Sequence, residues 1–431
     1  MASLSAEPVM DIVPVEKKIN NNIIIIGVLF FVFGFVTWLG SVLIPYLKIA
    51  CELGIFESYF VAFSFYISYA VMAIPSARLL KLTGSKNGMV AGLLIMAAGA
   101  LLFLPAALTR QYLLFLLGLF VQGTGLTILQ SAANPYVTKL GPLESAAKRI
   151  SFMGICNGIA GVMAPLILGS IILNDADSVA VNIHNLPAVE KVALLNNLAH
   201  RVIVPYLVMM VLLLLLALLV YRSGLPEIDT DEEDAAIYAA NTGKHSILQF
   251  PHLLLGVFTL FLYVGVEVIA VDTIFSFAQS QGIGSANAKY FASFTIFNML
   301  VGYVIGIISI PRFLEQQQAL KISAIAGIIF AIAAICTHGV VSVTFIGLLG
   351  LANSLIWPSM WPLALKGLGR FTKTGSSLLI MAIGGGALLP LLYGRLAGSF
   401  NPHIAYWMVL PCYAVILYYS IRGHKMCSQP K

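Results

Sequence analysis

The segment YVGVEVIAVDTIFSF, from Tyr263 to Phe277, carries two carboxylates, Glu267 and Asp272, in an otherwise apolar run with no Lys or Arg near it. A carboxyl group in apolar surroundings holds its proton more readily than one in water, and releases it when those surroundings change. The same group can coordinate Na⁺ with nearby hydroxyl and carbonyl oxygens. Both chemistries, proton exchange and cation coordination, are open to Glu267. Asp272 lies five positions on, about 140° away around a helix. It either joins that work or caps and pairs locally near the end of the run.

A second set of residues is made of amides. In VQGTGLTILQSAANPYVTKLGP, Gln130 and Asn134 are four apart, with Gln122 and Thr127 on or near the same face. Asn157 adds a further amide, and Gly154, Gly158 and Gly161 beside it allow close backbone approach. Polar side chains at depth in a bilayer either hold helices together or line a wet cavity. A stripe of them above an Asn-Pro helix breaker favours the cavity. Amides offer both donor and acceptor, which suits a neutral ligand rich in hydroxyls.

The third set is aromatic. In NSLIWPSMWPLALKGLG, Trp357 and Trp361 are four apart, with Asn353 one turn before them. Aromatic faces stack on the C–H faces of sugars while amides bind the hydroxyls; the alternative for Trp is a place in the interfacial belt. Two prolines in five positions make this helix irregular, which is tolerated where backbone lines a cavity. Trp357 is expected at the ligand and Trp361 at a gate. Trp38, mid-helix beside Gly40 and Ser41, is a third aromatic candidate.

The elements that must position these residues follow from composition. Of 431 residues, 59% are hydrophobic and 10% charged, and mean hydropathy is +0.94. Soluble chains carry about 25% charged residues. Apolar runs of roughly 18 residues or more recur throughout, each long enough to cross a bilayer as a helix. The fold class is therefore an all-α integral membrane protein, since lipid offers no partner to an unpaired peptide group. Twelve spans are read, at 23–48, 58–81, 87–107, 111–139, 147–173, 202–222, 250–280, 287–312, 319–337, 340–367, 373–397 and 404–421.

Two connections are long, 174–201 and 223–249. The second contains the acidic stretch LPEIDTDEEDAAIYAANTGKHS and splits the chain. The organisation expected is a tail 1–22, a six-helix bundle 23–222, a linker 223–249, a second six-helix bundle 250–421 and a tail 422–431. With both termini and the linker in the cytoplasm, the opposite side keeps six of the 24 Lys and Arg residues: Lys48, Arg110, Lys191, Arg201, Lys289 and Arg395. That bias fixes the orientation by the positive-inside rule. The net charge of +6 is then a matter of basic loops, not of nucleic acid. The halves also share GxxxPLxxG, as GVMAPLILG (Gly161–Gly169) and GALLPLLYG (Gly386–Gly394), in spans five and eleven. Parallel repeats of six helices are the plan of the major facilitator transporters.

Other chemistries find little support. Cys51, Cys156, Cys336, Cys412 and Cys427 are scattered without ligand-like spacing, so neither a disulfide framework nor a metal site is expected. GTG and GGG lie within helices and follow no strand, so they carry no phosphate-binding weight. No cofactor and no enzymatic activity are expected. The N-terminal segment is read as leading into a permanent first span rather than as a cleaved signal.

QSAANPYVTKLGP, LIPYLK, YVGVEV and NSLIWPSMWPLALKGLG…GSSLLIMAIGGGALLPLLYG resemble the fucose–galactose–glucose:cation symporters of the major facilitator superfamily, and the likeness runs through essentially the whole chain. FGFVTWLGSVLIPYLKIACELG and the Trp-Pro pairs look most like the glucose/galactose and N-acetylglucosamine permeases. The resemblance implies sugar transport. It also marks a departure: fucose permeases carry an Asp at the position of Ser41 and a Glu at that of Gln130, and both are neutral here. The acid is instead Glu267, where the fucose branch has Gln. The resemblance thus implies a coupling device moved from the first half to span seven.

The expectation is a secondary active sugar importer, for a hexose or N-acetylhexosamine, coupled to H⁺ by alternating access. Na⁺ coupling, uncoupled facilitation and drug export are the alternatives. Trp38, Gln130, Asn134, Asn157, Asn353 and Trp357 are expected to bind sugar, and Glu267 and Asp272 to couple. Arg78, in the basic loop SARLLKLTGSK, is expected to latch the inner gate with Trp361. The partners are a small neutral sugar and membrane lipid. A monomer in a bacterial inner membrane is expected.

Overall fold

The computed structural model describes residues 15–139, 146–173, 186–225, 246–310 and 312–426. The outer part of both expected tails and most of the acidic linker lie outside the described residues. Among those described, the regular elements are all helices. Those used below are α1 (Val15–Thr37), α2 (Gly40–Ala50), α3 (Phe60–Leu101), α4 (Tyr112–Lys139), α5 (Ala146–Ile172), α6 (Ala188–His200), α7 (Ile203–Arg222), α8 (Pro251–Asp272), α9 (Ile274–Ser280) and α10 (Ser285–Ser309). They continue with α11 (Gln316–Cys336), α12 (Gly339–Asn353), α13 (Ile356–Leu365), α14 (Thr372–Met381), α15 (Gly385–Ser399) and α16 (Val409–Ile421).

Eleven stretches among the described residues are long and apolar enough to cross a membrane. One of them, Ile55–Thr109, is 55 residues long and contains two helices joined at Gly84, whose φ of 78° suits glycine alone. Counting its two passes, the chain crosses twelve times, as the apolar runs require. Leu212, Leu215 and Leu219 of α7 are exposed in the isolated chain because lipid, not protein, is their solvent.

The packing of the two halves repeats. In the first, α1 packs on α5, α4 on α3, and α7 on α3; in the second, α8 packs on α15, α10 on α12, and α11 on α16. Where α4 crosses the first pass of α3, a Cβ on Gly123 would stand within the carbonyl of Phe65 and the hydroxyl of Ser68. Gly350 of α12 lies against the Thr295 carbonyl of α10 in the same way. The shared GxxxPLxxG marks equivalent positions. Gly161 of α5 touches Trp38 and, on the far half, Ile296 of α10; Gly386 of α15 touches Val268 of α8 and, on the far half, Tyr66 of α3. Each bundle thus presents one glycine-bearing helix to the other. The seam between them consists of α5 on α10 and α3 on α15.

Four expectations are corrected. The long connection 174–201 contains a helix, α6; the Tyr46 hydroxyl reaches the Leu198 and Ala199 carbonyls, both at 2.9 Å, and satisfies its C-terminal end. Asn134-Pro135 breaks nothing, and α4 runs on to Lys139; neighbours in a bundle let a bilayer helix tolerate a proline. Span seven is not continuous. It breaks after Asp272, where the Thr273 hydroxyl bonds the Ile269 carbonyl at 2.8 Å and pairs with Tyr406 at 2.7 Å. Span one also breaks, at Trp38–Leu39, so Trp38 is not mid-helix, and the Ser41 hydroxyl donates to its carbonyl at 2.9 Å.

Candidate functional site

The site begins at Glu267. It sits on α8 one turn after Tyr263, and the Tyr263 hydroxyl donates to Oε1 at 2.6 Å. Residues four apart on a helix share a face, so this pair is local. The remaining neighbours come from other helices. Tyr303 of α10, Tyr413 of α16 and Tyr66 of α3 all lie within electrostatic reach of the carboxyl. Among the described residues, no basic side chain is hydrogen-bonded to it. One phenolic hydroxyl, that of Tyr263, thus donates to the acid, and three further tyrosines from other helices lie near it.

Tyr66 carries this cluster across the seam. Its ring stacks with that of Tyr69, 6.4 Å between centroids and 25° apart in plane. The Gln130 amide of α4 donates to the Tyr69 hydroxyl at 3.2 Å. Gln130, Tyr69, Tyr66 and Glu267 thus follow one another across the seam, joined by one hydrogen bond, one ring contact and one electrostatic contact, while the Tyr66 hydroxyl itself has no hydrogen-bond partner. Gln130 and Asn134 are half-buried on α4, and Asn157 is half-buried on α5. These three amides keep partial access, as a ligand-facing group must.

Gln122 and Thr127 do not. Gln122 is 1% exposed, wedged against Gly99 between two passes of the first half; the Thr127 hydroxyl bonds the Gly123 carbonyl at 2.8 Å. They belong to helix packing, and the stripe read along α4 is shorter than its polar residues imply. Asn353 is buried too, at 1% exposure, where its Oδ1 accepts from the Tyr413 hydroxyl at 2.7 Å. It holds a tyrosine that faces Glu267. Trp38 is 4% exposed, its ring against Gly161, and its indole N–H has no acceptor.

Trp357 and Trp361 are half-buried and stacked, 5.2 Å between centroids at 27°. The helix break that frees them lies one turn earlier than the Trp-Pro pairs, between Asn353 and Ile356. Pro358 explains it: a proline has no N–H for the carbonyl four residues back, here Ser354, and its ring clashes with that carbonyl. Arg78, at the end of the first pass of α3, is exposed. Asp272 is fully buried beside the break between α1 and α2, and neither carboxylate oxygen has a hydrogen-bond partner.

Sequence reasoning missed the tyrosines. Tyr263 was legible, one turn from an intramembrane acid. Tyr66, Tyr69, Tyr303 and Tyr413 lie in ordinary apolar runs, and only packing brings them to the site. Among the described residues, no group of three or more His, Cys, Asp and Glu side chains is arranged to hold a metal ion.

Comparison with known proteins shows the family and the fold. The model of the Major Facilitator Superfamily matches residues 26–390. A glucose/galactose transporter of Brucella abortus biovar 1 (strain 9-941) is 35% identical over 413 residues, which is 95% of this chain and 96% of its own length. The L-fucose-proton symporter of Escherichia coli (strain K12) is 29% identical over 397 residues, covering 91% of this chain and 90% of its own. Among solved structures, the transporter FucP in its outward conformation matches with a TM-score of 0.72 at 27% identity, over 95% of this chain and 99% of its own. A D-xylose-proton symporter, 14% identical, shares the fold at a TM-score of 0.67 over 94% of this chain and 98% of its own.

Proposed function

We proceed from the fact that this chain belongs to the Major Facilitator Superfamily, and propose that it imports a hexose or N-acetylhexosamine together with H⁺ by alternating access. The coarser statement stands by itself: the chain is a multi-pass membrane protein of the sugar-symporter class, and its relatives are transporters rather than enzymes. The observation that carries the finer reading is the run Gln130–Tyr69–Tyr66–Glu267. It joins a half-exposed amide, suited to a sugar hydroxyl, to an intramembrane acid suited to a proton. Through these contacts, occupancy at one end can alter the packing around the acid at the other.

The roles follow. Gln130, Asn134 and Asn157 bind sugar hydroxyls, and Trp357 stacks on the apolar face of the ring. Asn353 and Trp38 support this site from behind. Trp361 and Arg78 gate the end nearest the linker, which the positive-inside rule puts in the cytoplasm of a bacterial inner membrane. Glu267 takes the driving proton. Its Tyr263 bond and its tyrosine neighbours let either protonation state find partners as the halves rock.

Glu267→Gln keeps size and hydrogen bonding while removing the ionisable group. In proteoliposomes this variant should bind glucose, galactose or N-acetylglucosamine and exchange it across the membrane. It should fail to concentrate it, because only accumulation needs a driving ion. Parent protein should lose accumulation when a protonophore is added at fixed Na⁺. Equal accumulation by Glu267→Gln and parent would remove Glu267 from the mechanism. A parent that takes up none of these sugars would remove the substrate class.

A further inference from the structure

Glu267 is not the only acid of α8 inside the bundle. Asp272 is 0% exposed, and both of its carboxylate oxygens lack a hydrogen-bond partner. An unpaired charge buried in this way is costly, so the group holds a proton or pairs with a bound cation. Its surroundings favour the cation. Asp272 lines a small pocket at the break between α1 and α2, together with Thr37, Gly40 and Tyr66. The Thr37 Oγ1 and the Tyr66 hydroxyl are likewise buried without hydrogen-bond partners. Three residues from three helices, carrying four unpartnered oxygens between them, therefore line one pocket. None of the other residues that line it is basic or amide-bearing.

The main chain comes close as well. Gly40 lets the carboxylate reach the backbone of α2: a Cβ there would stand 2.6 Å from Asp272 Oδ2 and 3.3 Å from Oδ1. At the break itself the Leu39 N–H reaches back to the Val36 carbonyl at a long 3.4 Å, so helical hydrogen bonding is weak at this point. The titratable groups facing Asp272 are tyrosines, Tyr59 and Tyr66, both from the N-terminal half. Tyr66 also faces Glu267.

We propose that Asp272, Thr37 and Tyr66 form a site for a hard monovalent cation, Na⁺, seated between the two halves of the transporter. Carboxylate and hydroxyl oxygens suit a hard cation rather than a soft transition metal. One carboxylate balances one positive charge; a divalent ion would leave a net charge in apolar surroundings. Because the ligands come from α1 and α3 on one side and α8 on the other, a bound ion draws the halves together at the end away from the linker. The site goes beyond the proton reading of Glu267. Only its link to sugar movement rests on that symporter reading.

The test is binding of ²²Na⁺ to the purified full-length protein in nanodiscs at fixed pH, with choline as the replacing ion. The expected result is saturable binding that Na⁺ and Li⁺ displace and K⁺ does not. Asp272→Asn should weaken it at least roughly tenfold, which corresponds to about 1.4 kcal/mol. Thr37→Val and Tyr66→Phe, which each remove one oxygen and keep shape, should weaken it several-fold. Size-exclusion profiles and thermal unfolding of the same samples establish that each variant is folded. Absence of saturable ²²Na⁺ binding in the parent, equal displacement by K⁺, or undiminished binding in folded Asp272→Asn would each overturn the site. Sugar binding separates the two readings: intact sugar binding without Na⁺ binding removes this site alone, and absent sugar binding in the parent removes the transport reading instead.

Discussion

A hydroxyl-rich ligand is recognised by groups that can both donate and accept, and Gln130, Asn134 and Asn157 are the half-exposed amides of the first bundle. Their neighbours Gln122 and Thr127 have the same chemistry and are spent on packing, which is why amide content alone does not mark a site. A net hydrogen bond contributes about 0.5–1.5 kcal/mol. Each of Gln130→Ala, Asn134→Ala and Asn157→Ala should therefore weaken sugar binding by about two- to tenfold in a scintillation-proximity assay. Gln130→Ala should cost most, since it also releases the Tyr69 hydroxyl. Unchanged affinity in all three would move the ligand elsewhere. Glu267 belongs to this scale too: with a phenol at 2.6 Å and no cation bonded to it, its charge is supported by dipoles that helix motion can withdraw.

At the scale of elements, three helices that face the seam are broken where the chemistry lies. The breaks fall at Trp38–Leu39, after Asp272, and between Asn353 and Ile356. Each leaves backbone polar groups outside the regular ladder, which a bilayer protein tolerates only around a polar interior. Pro358 makes the third break. Pro358→Ala should restore continuous helix, shift the Trp357–Trp361 stack and lower transport in folded protein; transport at parental rate would show the break to be incidental. Close packing is the other requirement at this scale. A Cβ at Gly385 would run into the Phe261 carbonyl, whereas Gly224 has nothing within 4 Å. Gly385→Ala should destabilise by about 1–3 kcal/mol, the range for overpacking a dense core. Gly224→Ala should leave the melting temperature where it was. Thermal unfolding followed by size exclusion tests both.

The whole molecule is two bundles that meet along α5–α10 and α3–α15. At the end away from the linker the seam is closed by aromatic rings: Tyr59 of the first half meets Tyr393 edge-on at 5.7 Å, and Tyr393 meets Tyr406 at 5.2 Å. A Cβ on Gly394 would touch the Tyr59 ring. A Tyr59→Cys, Gly394→Cys pair should therefore crosslink under mild oxidation and hold this end shut. Transport should stop and return with reductant, while sugar still binds from the open side. Transport that persists in the crosslinked protein would exclude rocking of the halves about this seam. The contact is possible because α15 carries a glycine where the Tyr59 ring arrives, so the bundles approach closely and can separate again.

Composition and hydropathy decided, before any coordinates, that this chain is helical and crosses a membrane twelve times, because lipid admits few other solutions. The shared GxxxPLxxG announced the repeat, and its two first glycines, Gly161 and Gly386, take equivalent places. Glu267, Asp272, Gln130 and Asn134 stood out because polar groups are costly in lipid and therefore rare. Tertiary structure alone separated the amides that pack from those that stay accessible, since burial depends on the neighbouring helix and not on the residue. It alone brought Tyr66, Tyr303 and Tyr413 to Glu267 from three other helices, and it alone set Asp272 against Gly40, Thr37 and Tyr66. A phenol in an apolar run is unremarkable by sequence, and hydrogen bonds between helices 60 to 152 residues apart, such as Tyr413–Asn353 and Tyr46–Leu198, have no local signature.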